Sequence, residues 1–172
     1  DTTSRVFILF SIFSLVLFVT FKSHLVAFGP MKQEELVKLN QTYNKWLELE
    51  NSAAEKVGWS EELDQTSRWE QFLKLQKLKS FKEATILDVG CGDGALIDYL
   101  RCIIGVEHVN VTGIDPNERF IALAKKDYPW NEFIQGEFLM HEFEKEYDFI
   151  MCSGAFNVQV FGGQDREYFV LE

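Results

Sequence analysis

The sequence is poor in cysteine, histidine and proline, and it contains no run of basic residues. Its three cysteines do not form a CxxC pair, which excludes a zinc ribbon and a disulfide framework and favours a reducing compartment. The three histidines lack a metal-ligand spacing such as HExxH, so no metal site is predicted. The 17 Lys and Arg residues are outnumbered by 27 Asp and Glu residues, and a net charge of −10 repels nucleic-acid phosphates.

Charge is almost absent from residues 1–30. The uncharged run Val6–Phe21 is slightly short of the ~20 residues that cross a bilayer. Extending it to Phe28 supplies the length, because the Lys22 side chain can reach the membrane surface. Residues 1–30 are therefore either a membrane anchor, spanning 6–28, that tethers a cytoplasmic domain, or sequence upstream of a natural start at Met31. In the second case the protein is expected to be cytoplasmic.

Residues 31–82 are predicted to form a helical region. Apolar side chains recur every three or four positions, first from Leu36 to Leu47 and then from Trp69 to Leu78, which is the period of helices with one buried face. Ser60, followed by acidic residues, is predicted to be the N-cap of the second helix. Core packing explains both stripes without a ligand.

Residues 83–172 change to short apolar strands separated by helices. Strands are predicted at 84–89, 109–114, 132–136 and 147–152, with helices at 95–103 and 117–128. Such alternation produces right-handed βαβ units. The predicted fold class is therefore α/β, a doubly wound parallel sheet with preceding N-terminal helices. A chain of 172 residues that is 47% hydrophobic can bury one such core.

The stretch ILDVGCGDGAL, residues 86–96, places three glycines between the first strand of this sheet and its first helix. Ligands of such sheets bind beyond the carboxyl ends of the strands, and glycines let a ligand approach the backbone. The spacing differs from the GxGxxG of dinucleotide sites, because Gly94 comes one residue early. Asp88 precedes the turn, where its carboxylate would repel a pyrophosphate.

A cationic nucleoside suits this turn better than a dinucleotide does. S-adenosylmethionine carries a sulfonium and an ammonium group, which Asp88 would attract. Asp115 ends the second strand, 21 residues after Gly94, where a carboxylate can accept hydrogen bonds from both ribose hydroxyls. The alternative for Asp115 is an acid that caps the turn before Pro116. A nicotinamide-dependent dehydrogenase is a more distant alternative for the whole turn.

These motifs resemble those of the class I S-adenosylmethionine-dependent methyltransferases. LDVGCGDG is similar to the first motif of that family, GIDPN to the second, FIQGEF to the segment beside the adenine, and YDFIMCSGAFN to the fourth-strand motif. The segment Val57–Trp69 is similar to one that precedes the domain in a group of small bacterial methyltransferases. The resemblance implies a Rossmann-like fold, S-adenosylmethionine as cofactor, and methyl transfer as the activity.

The resemblance also implies a set of cofactor-binding residues. Gly90, Cys91 and Gly92 would line the methionine end and Asp115 the ribose, Glu137 and Phe138 would neighbour the adenine, and Ser153 and Gly154 would lie on the sulfonium side; Asp88, Gly94 and Pro116 complete the turns. Gln65 and Arg68 either face the cofactor carboxylate, for which Arg offers two parallel donors, or are polar residues of a helix surface. Glu137 departs from the family, which more often has Asp there.

Methyl transfer requires chiefly that nucleophile, methyl and sulfur be held in line. A general base is needed only if the acceptor loses a proton, and His141 is the candidate base. Asn157, the other catalytic candidate, and Ser153 could orient an acceptor. A solvated loop histidine is the alternative for His141. SGAFN lacks the Asn/Asp-Pro-Pro-aromatic run of nucleic-acid amine methyltransferases. With the negative net charge, this predicts a small-molecule acceptor and no nucleic-acid partner.

The chain ends soon after its fourth predicted strand, whereas the resemblance implies three further strands that carry much of the acceptor pocket. We therefore expect a chain truncated at its C-terminus, divided into residues 1–30, a helical region 31–82 and an incomplete cofactor-binding domain 83–172. Two functions fit such a chain. It is either a methyltransferase or a non-catalytic S-adenosylmethionine-binding module, truncated or completed by a partner.

Overall fold

The computed structural model describes residues 6–10, 15–19, 31–49, 53–56, 62–74 and 82–153. The N-terminal elements are β1 (Val6–Phe10), β2 (Leu15–Val19), α1 (Gln33–Glu48), α2 (Ala53–Lys56) and α3 (Glu62–Lys74). The sheet region that follows consists of β3 (Thr85–Val89), α4 (Ala95–Ile104), β4 (Asn110–Asp115), α5 (Glu118–Asp127), β5 (Glu132–Gln135), a 3₁₀ turn (Phe138–Met140) and β6 (Phe149–Cys152).

The four strands β3 to β6 form one parallel sheet in the order β5-β4-β3-β6. The chain runs outward from β3 through β4 to β5, and then returns to the other side of β3. The strand order therefore reverses between β3 and β6, which is where doubly wound sheets bind ligands. The predicted parallel α/β fold is confirmed, and the glycine turn lies at this reversal.

Two apolar layers cover the sheet, because alternate residues of each strand point to opposite faces. Helices α3, α4 and α5 cover the first face. Its buried residues include Trp69, Leu73, Ile86, Leu96, Leu100, Val111, Ile121, Ala124, Phe133 and Met151. Side chains of the β5–β6 connection cover the second face. Its buried residues are Leu87, Val89, Ile114, Tyr147, Ile150 and Cys152, with Phe138 and Phe143 packed against them.

A reciprocal polar contact closes the amino-terminal edge of the sheet. Asp148, just before β6, accepts hydrogen bonds from the backbone N–H and the hydroxyl of Thr85 at 2.8 Å each, and the Asp148 N–H donates back to that hydroxyl at 3.0 Å. These bonds lower the pKa of Asp148. The predicted fourth strand began at residue 147, two residues before the observed start at Phe149, because Asp148 pairs through its side chain rather than along the strand.

Helix α1 contains the whole of the first apolar stripe, Leu36 to Leu47, and Leu39 of that stripe is buried. Of the second stripe, Trp69 is buried in α3, while Leu78 and the predicted N-cap Ser60 lie outside the described residues. The uncharged N-terminal run contains β1 and β2, which pair antiparallel with Val6 opposite Val19. In the ranges described here, no helix has both the length and the apolar character needed to cross a bilayer. The membrane-anchor hypothesis for residues 1–30 stays a prediction.

Candidate functional site

The glycine turn connects β3 to α4 and is fastened to the end of β4. The N–H groups of Gly90 and Cys91 donate to the Ile114 carbonyl oxygen at 2.8 and 3.3 Å. Gly94, the N-cap of α4, has φ +88°, and a Cβ atom there would lie 2.9 Å from the Tyr128 ring. This glycine is therefore required by the turn itself and by close packing, whether or not a ligand is bound.

The Cys91 side chain lies in the core of the first face. A Cβ atom added to Gly113 of β4 would lie 2.7 Å from the Cys91 sulfur and 2.8 Å from the Phe133 ring, so the thiol fills the space that a larger residue at 113 would need. Burial raises the pKa of the thiol. Of the predicted site residues in the turn, Cys91 therefore offers a ligand its backbone and not its sulfur.

Asp115 is buried at the carboxyl end of β4 and joins the two turns of the site. One carboxylate oxygen accepts the Gly92 N–H at 3.1 Å, and the other accepts the Asn117 N–H at 2.8 Å. The turn-capping role considered for Asp115 is therefore present. Because a carboxylate has about four acceptor positions, two of them are left for other donors.

Asp88 and Asp115 form a pair of buried carboxyls at the ends of adjacent central strands, 6% and 8% exposed. Burial, reinforced by the negative charge of Asp115, raises the pKa of Asp88 to about 7. Burial also raises the pKa of Asp115 to about 6, although its two backbone hydrogen bonds oppose the shift. Two acids that resist ionisation in this way favour a bound cation. Within the described residues, no group of three His, Cys, Asp or Glu could hold a metal ion.

The predicted adenine residues lie beside the 3₁₀ turn after β5. A carboxylate oxygen of Glu137 accepts the Met31 N–H at 2.9 Å, so this acid is tied to the segment that leads into α1. Phe138 packs against Phe143, with ring centroids 5.8 Å apart. The candidate base His141 also packs edge-on against Phe143, at 4.6 Å. Whether these residues touch a ligand stays a prediction.

The remaining predicted residues are spread around the site. Pro116 is half-buried beside Asp115, and Ser153 follows β6 with a buried hydroxyl that has no hydrogen-bond partner in the described part of the chain. Gln65 is buried in α3, on the same face as Trp69 four positions later, whereas Arg68 is half-buried. Gly154 and Asn157 lie outside the described residues.

Helix α1 reaches the same edge of the sheet, which the sequence pattern did not indicate. The Asn117 amide donates to Asn44 of α1 at 3.3 Å, and the Tyr43 ring packs on Phe120 at 5.2 Å. Burial and the negative charge of Asp115 raise the pKa of Tyr43. The apolar stripe predicted α1 as a core helix; the polar residues at 40 and 44 on that stripe are the only signal that its inner face contacts a polar site.

Comparison with known proteins finds one matching family over the sheet region. Residues 86–170 match the family model described as a methyltransferase domain. Over this range the chain is similar to the methyltransferase domain family. Its matched range covers the sheet, the glycine turn and both buried carboxyls.

Three relatives illustrate how far the likeness extends. The curated protein "Putative methyltransferase 235L" of Invertebrate iridescent virus 6 is 30% identical over 77 residues, 45% of this chain and 28% of that protein. A TehB-like SAM-dependent methyltransferase from Corynebacterium glutamicum is 20% identical, with TM-score 0.40, over 72% of this chain and 56% of its own. A SAM-dependent methyltransferase from Thiobacillus denitrificans, solved with S-adenosyl-L-homocysteine, is 28% identical, with TM-score 0.37, over 45% of this chain and 33% of its own. The chain thus spans less than two thirds of the length of each of these relatives.

Proposed function

We propose that the protein binds S-adenosylmethionine at the carboxyl edge of β3, β4 and β6 and transfers its methyl group to a small-molecule acceptor. The observation that carries the proposal is the pair of buried acids, Asp88 and Asp115, beside a glycine-rich turn. Each acid has a raised pKa because burial leaves its charged form little solvation. A cationic ligand would remove that penalty, and a pyrophosphate would increase it.

The residues present fit the cofactor in two further respects. Asp115 keeps two acceptor positions beyond its backbone bonds, as many as the two hydroxyls of a ribose require. The buried Ser153 hydroxyl follows β6 at the strand-order reversal and is unpaired in the described residues, and a buried hydroxyl in a native structure usually has a partner. A ligand seated beside the turn would provide one.

The cofactor supplies a methyl group already activated by its sulfonium, so the protein has mainly to hold the reactants in line. Alignment of this kind can contribute ~7–11 kcal/mol to a reaction barrier. Asp88 and Asp115 would fix the cofactor, and His141 is the candidate to accept a proton from the acceptor. The net charge of −10 supports a small acceptor over a nucleic acid, because it repels polyanions.

Calorimetric titration with S-adenosylhomocysteine tests cofactor binding. We expect Asp115→Ala to abolish measurable binding and Asp115→Asn, which keeps one acceptor for the backbone, to weaken it about tenfold, as expected for a lost charged hydrogen bond. Glu107→Gln is the matched control, because Glu107 is an exposed acid on the loop before β4, at the opposite edge of the sheet. Equal affinity of wild type and Asp115→Asn, with both folded by circular dichroism, would refute the assignment of the site.

Transfer of a labelled methyl group to a panel of hydroxylated and carboxylated metabolites tests the activity. Turnover would establish a methyltransferase. Tight binding without turnover on any acceptor would instead favour a non-catalytic S-adenosylmethionine-binding module. Affinity for NAD above that for S-adenosylhomocysteine would favour a dehydrogenase and refute both.

A further inference from the structure

Helix α1 and the residues just before it are joined by hydrogen bonds to the segments that follow β4 and β5. At one end, the Met31 N–H donates to Glu137, which follows β5. At the other, Asn44 accepts hydrogen bonds from Asn117 through its side chain at 3.3 Å and from Arg119 through its backbone oxygen at 3.2 Å. The second anchor places α1 beside the end of β4, because Asn117 lies only two residues after Asp115.

The inner face of α1 between the anchors carries two polar side chains. Asn40, Tyr43 and Asn44 share a face because they lie three and four positions apart on a helix. The Asn40 side-chain oxygen is buried and finds no hydrogen-bond partner among the residues that the structure describes. Tyr43 is close enough to Asp115 for the carboxylate to raise its pKa, and its ring is held between Trp46 and Phe120 at centroid distances of 5.3 and 5.2 Å.

An unpartnered buried amide oxygen destabilises a folded protein, so its presence on this face requires an explanation. Core packing alone does not account for this atom, because an apolar side chain of similar size would avoid the loss of hydration. The oxygen is an acceptor, and it lies on the same helix face as Asn44, which is anchored beside the end of β4. A donor on a bound ligand is the partner that this arrangement lacks.

We propose that α1 covers the nucleoside site and that Asn40 and Tyr43 are binding residues for the nucleoside half of the cofactor. This role rests on the proposed function. The Asn40 carbonyl oxygen accepts a hydrogen bond from a hydroxyl or amine of the nucleoside. Tyr43, positioned by its two aromatic neighbours, contacts the nucleoside next to Asp115.

The test compares ligand affinity with stability in single variants of the full chain. Asn40→Leu should raise the melting temperature, because a buried unpaired polar atom is removed. It should also weaken binding of 5′-methylthioadenosine and of S-adenosylhomocysteine about tenfold and to the same extent, since both share the nucleoside. Tyr43→Phe keeps the ring and should weaken both ligands several-fold without changing the melting temperature. Gln41→Leu, on the exposed outer face of α1, should leave both affinities unchanged.

The outcomes separate this inference from the proposed function. If Asn40→Leu and Tyr43→Phe bind S-adenosylhomocysteine as tightly as wild type does, α1 does not cover the nucleoside site. The proposed function then still stands. If Asn40→Leu weakens S-adenosylhomocysteine but not methylthioadenosine, Asn40 contacts the amino-acid half and the nucleoside assignment is wrong. If wild type binds neither ligand, the proposed function fails, and this inference fails with it.

Discussion

Cofactor affinity should rise with pH, because the cation and the two buried acids are linked through protons. In the ligand-free protein, Asp88 has a pKa of about 7 and Asp115 of about 6, both raised by burial. A nearby ammonium or sulfonium group favours the ionised carboxylates and lowers both pKa values. Binding therefore releases protons at acidic and neutral pH, and acid competes with the ligand.

The size of the effect follows from the pKa of Asp88. A pH of 5 is about two units below the pKa of Asp88. Ionising this carboxyl at pH 5 therefore requires about 2.7 kcal/mol, at about 1.36 kcal/mol per pH unit. The dissociation constant of S-adenosylmethionine should thus fall about a hundredfold between pH 5 and pH 8, and most of the change should be complete near pH 7. Asp115 adds a smaller contribution below pH 6.

The same pKa shifts act in the opposite direction on the stability of the ligand-free protein. A carboxyl whose pKa is raised by folding stabilises the folded state below its unfolded pKa, and that contribution is lost as pH rises through the folded pKa. The free energy of unfolding should therefore fall between pH 4 and pH 7. Asp88→Asn removes the titrating group and should flatten this decline.

Isothermal titration at pH 5, 6, 7 and 8, in buffers with different ionisation enthalpies, measures both the affinity and the protons released. Asp88→Asn should reduce the proton release and flatten the affinity profile. Glu107→Gln should reproduce the wild-type profile, because Glu107 is an exposed acid at the opposite edge. A wild-type dissociation constant that is independent of pH, with no proton release, would refute the paired-acid interpretation.

Two predictions concern the framework of the site and are measured by urea denaturation. Gly113→Ala should destabilise the protein by about 1–3 kcal/mol through overpacking against Cys91. Cys91→Ala in the same chain should recover part of the loss. An unchanged free energy of unfolding in Gly113→Ala would show that the strand and the thiol move apart freely. Asp148→Asn should reduce stability by about 1 kcal/mol at pH 7 and remove the loss of stability below pH 4 that a lowered pKa produces, while S-adenosylhomocysteine affinity stays unchanged. A weakened affinity in Asp148→Asn would contradict the separation of the two sheet edges.

The strands and the glycine turn could be predicted because the residues that determine them are close together in the sequence. Apolar β-branched runs separated by helical stretches leave few arrangements other than a parallel sheet. The distance from Gly94 to Asp115 is set by one helix and one strand, so two acids far apart in sequence were correctly placed at neighbouring strand ends. The carboxylate of Asp115 was expected as either a turn cap or a ligand group, and its backbone bonds show that the first role is present.

The position of α1 could not be predicted in the same way. Helical periodicity identifies which face of a helix is buried, but not what covers it. Tyr43 and Leu39 belong to one stripe, yet Leu39 is simply buried, while Tyr43 is near enough to Asp115 for the carboxylate to contribute to its raised pKa. The hydrogen bond from the Met31 N–H to Glu137 could not be predicted either, because it depends on how two segments far apart in the sequence pack together. The buried orientation of the Cys91 thiol likewise depends on the absence of a side chain at Gly113.

The contact between Met31 and Glu137 joins positions that are 106 residues apart in the sequence. During synthesis, the segment leading into α1 leaves the ribosome long before its partner exists, and contacts of such long range form slowly. At about 5–20 residues per second, Glu137 is added several seconds after Met31. In the nascent chain, the residues of the polar inner face of α1 therefore stay in contact with water until β5 and Glu137 have left the ribosome.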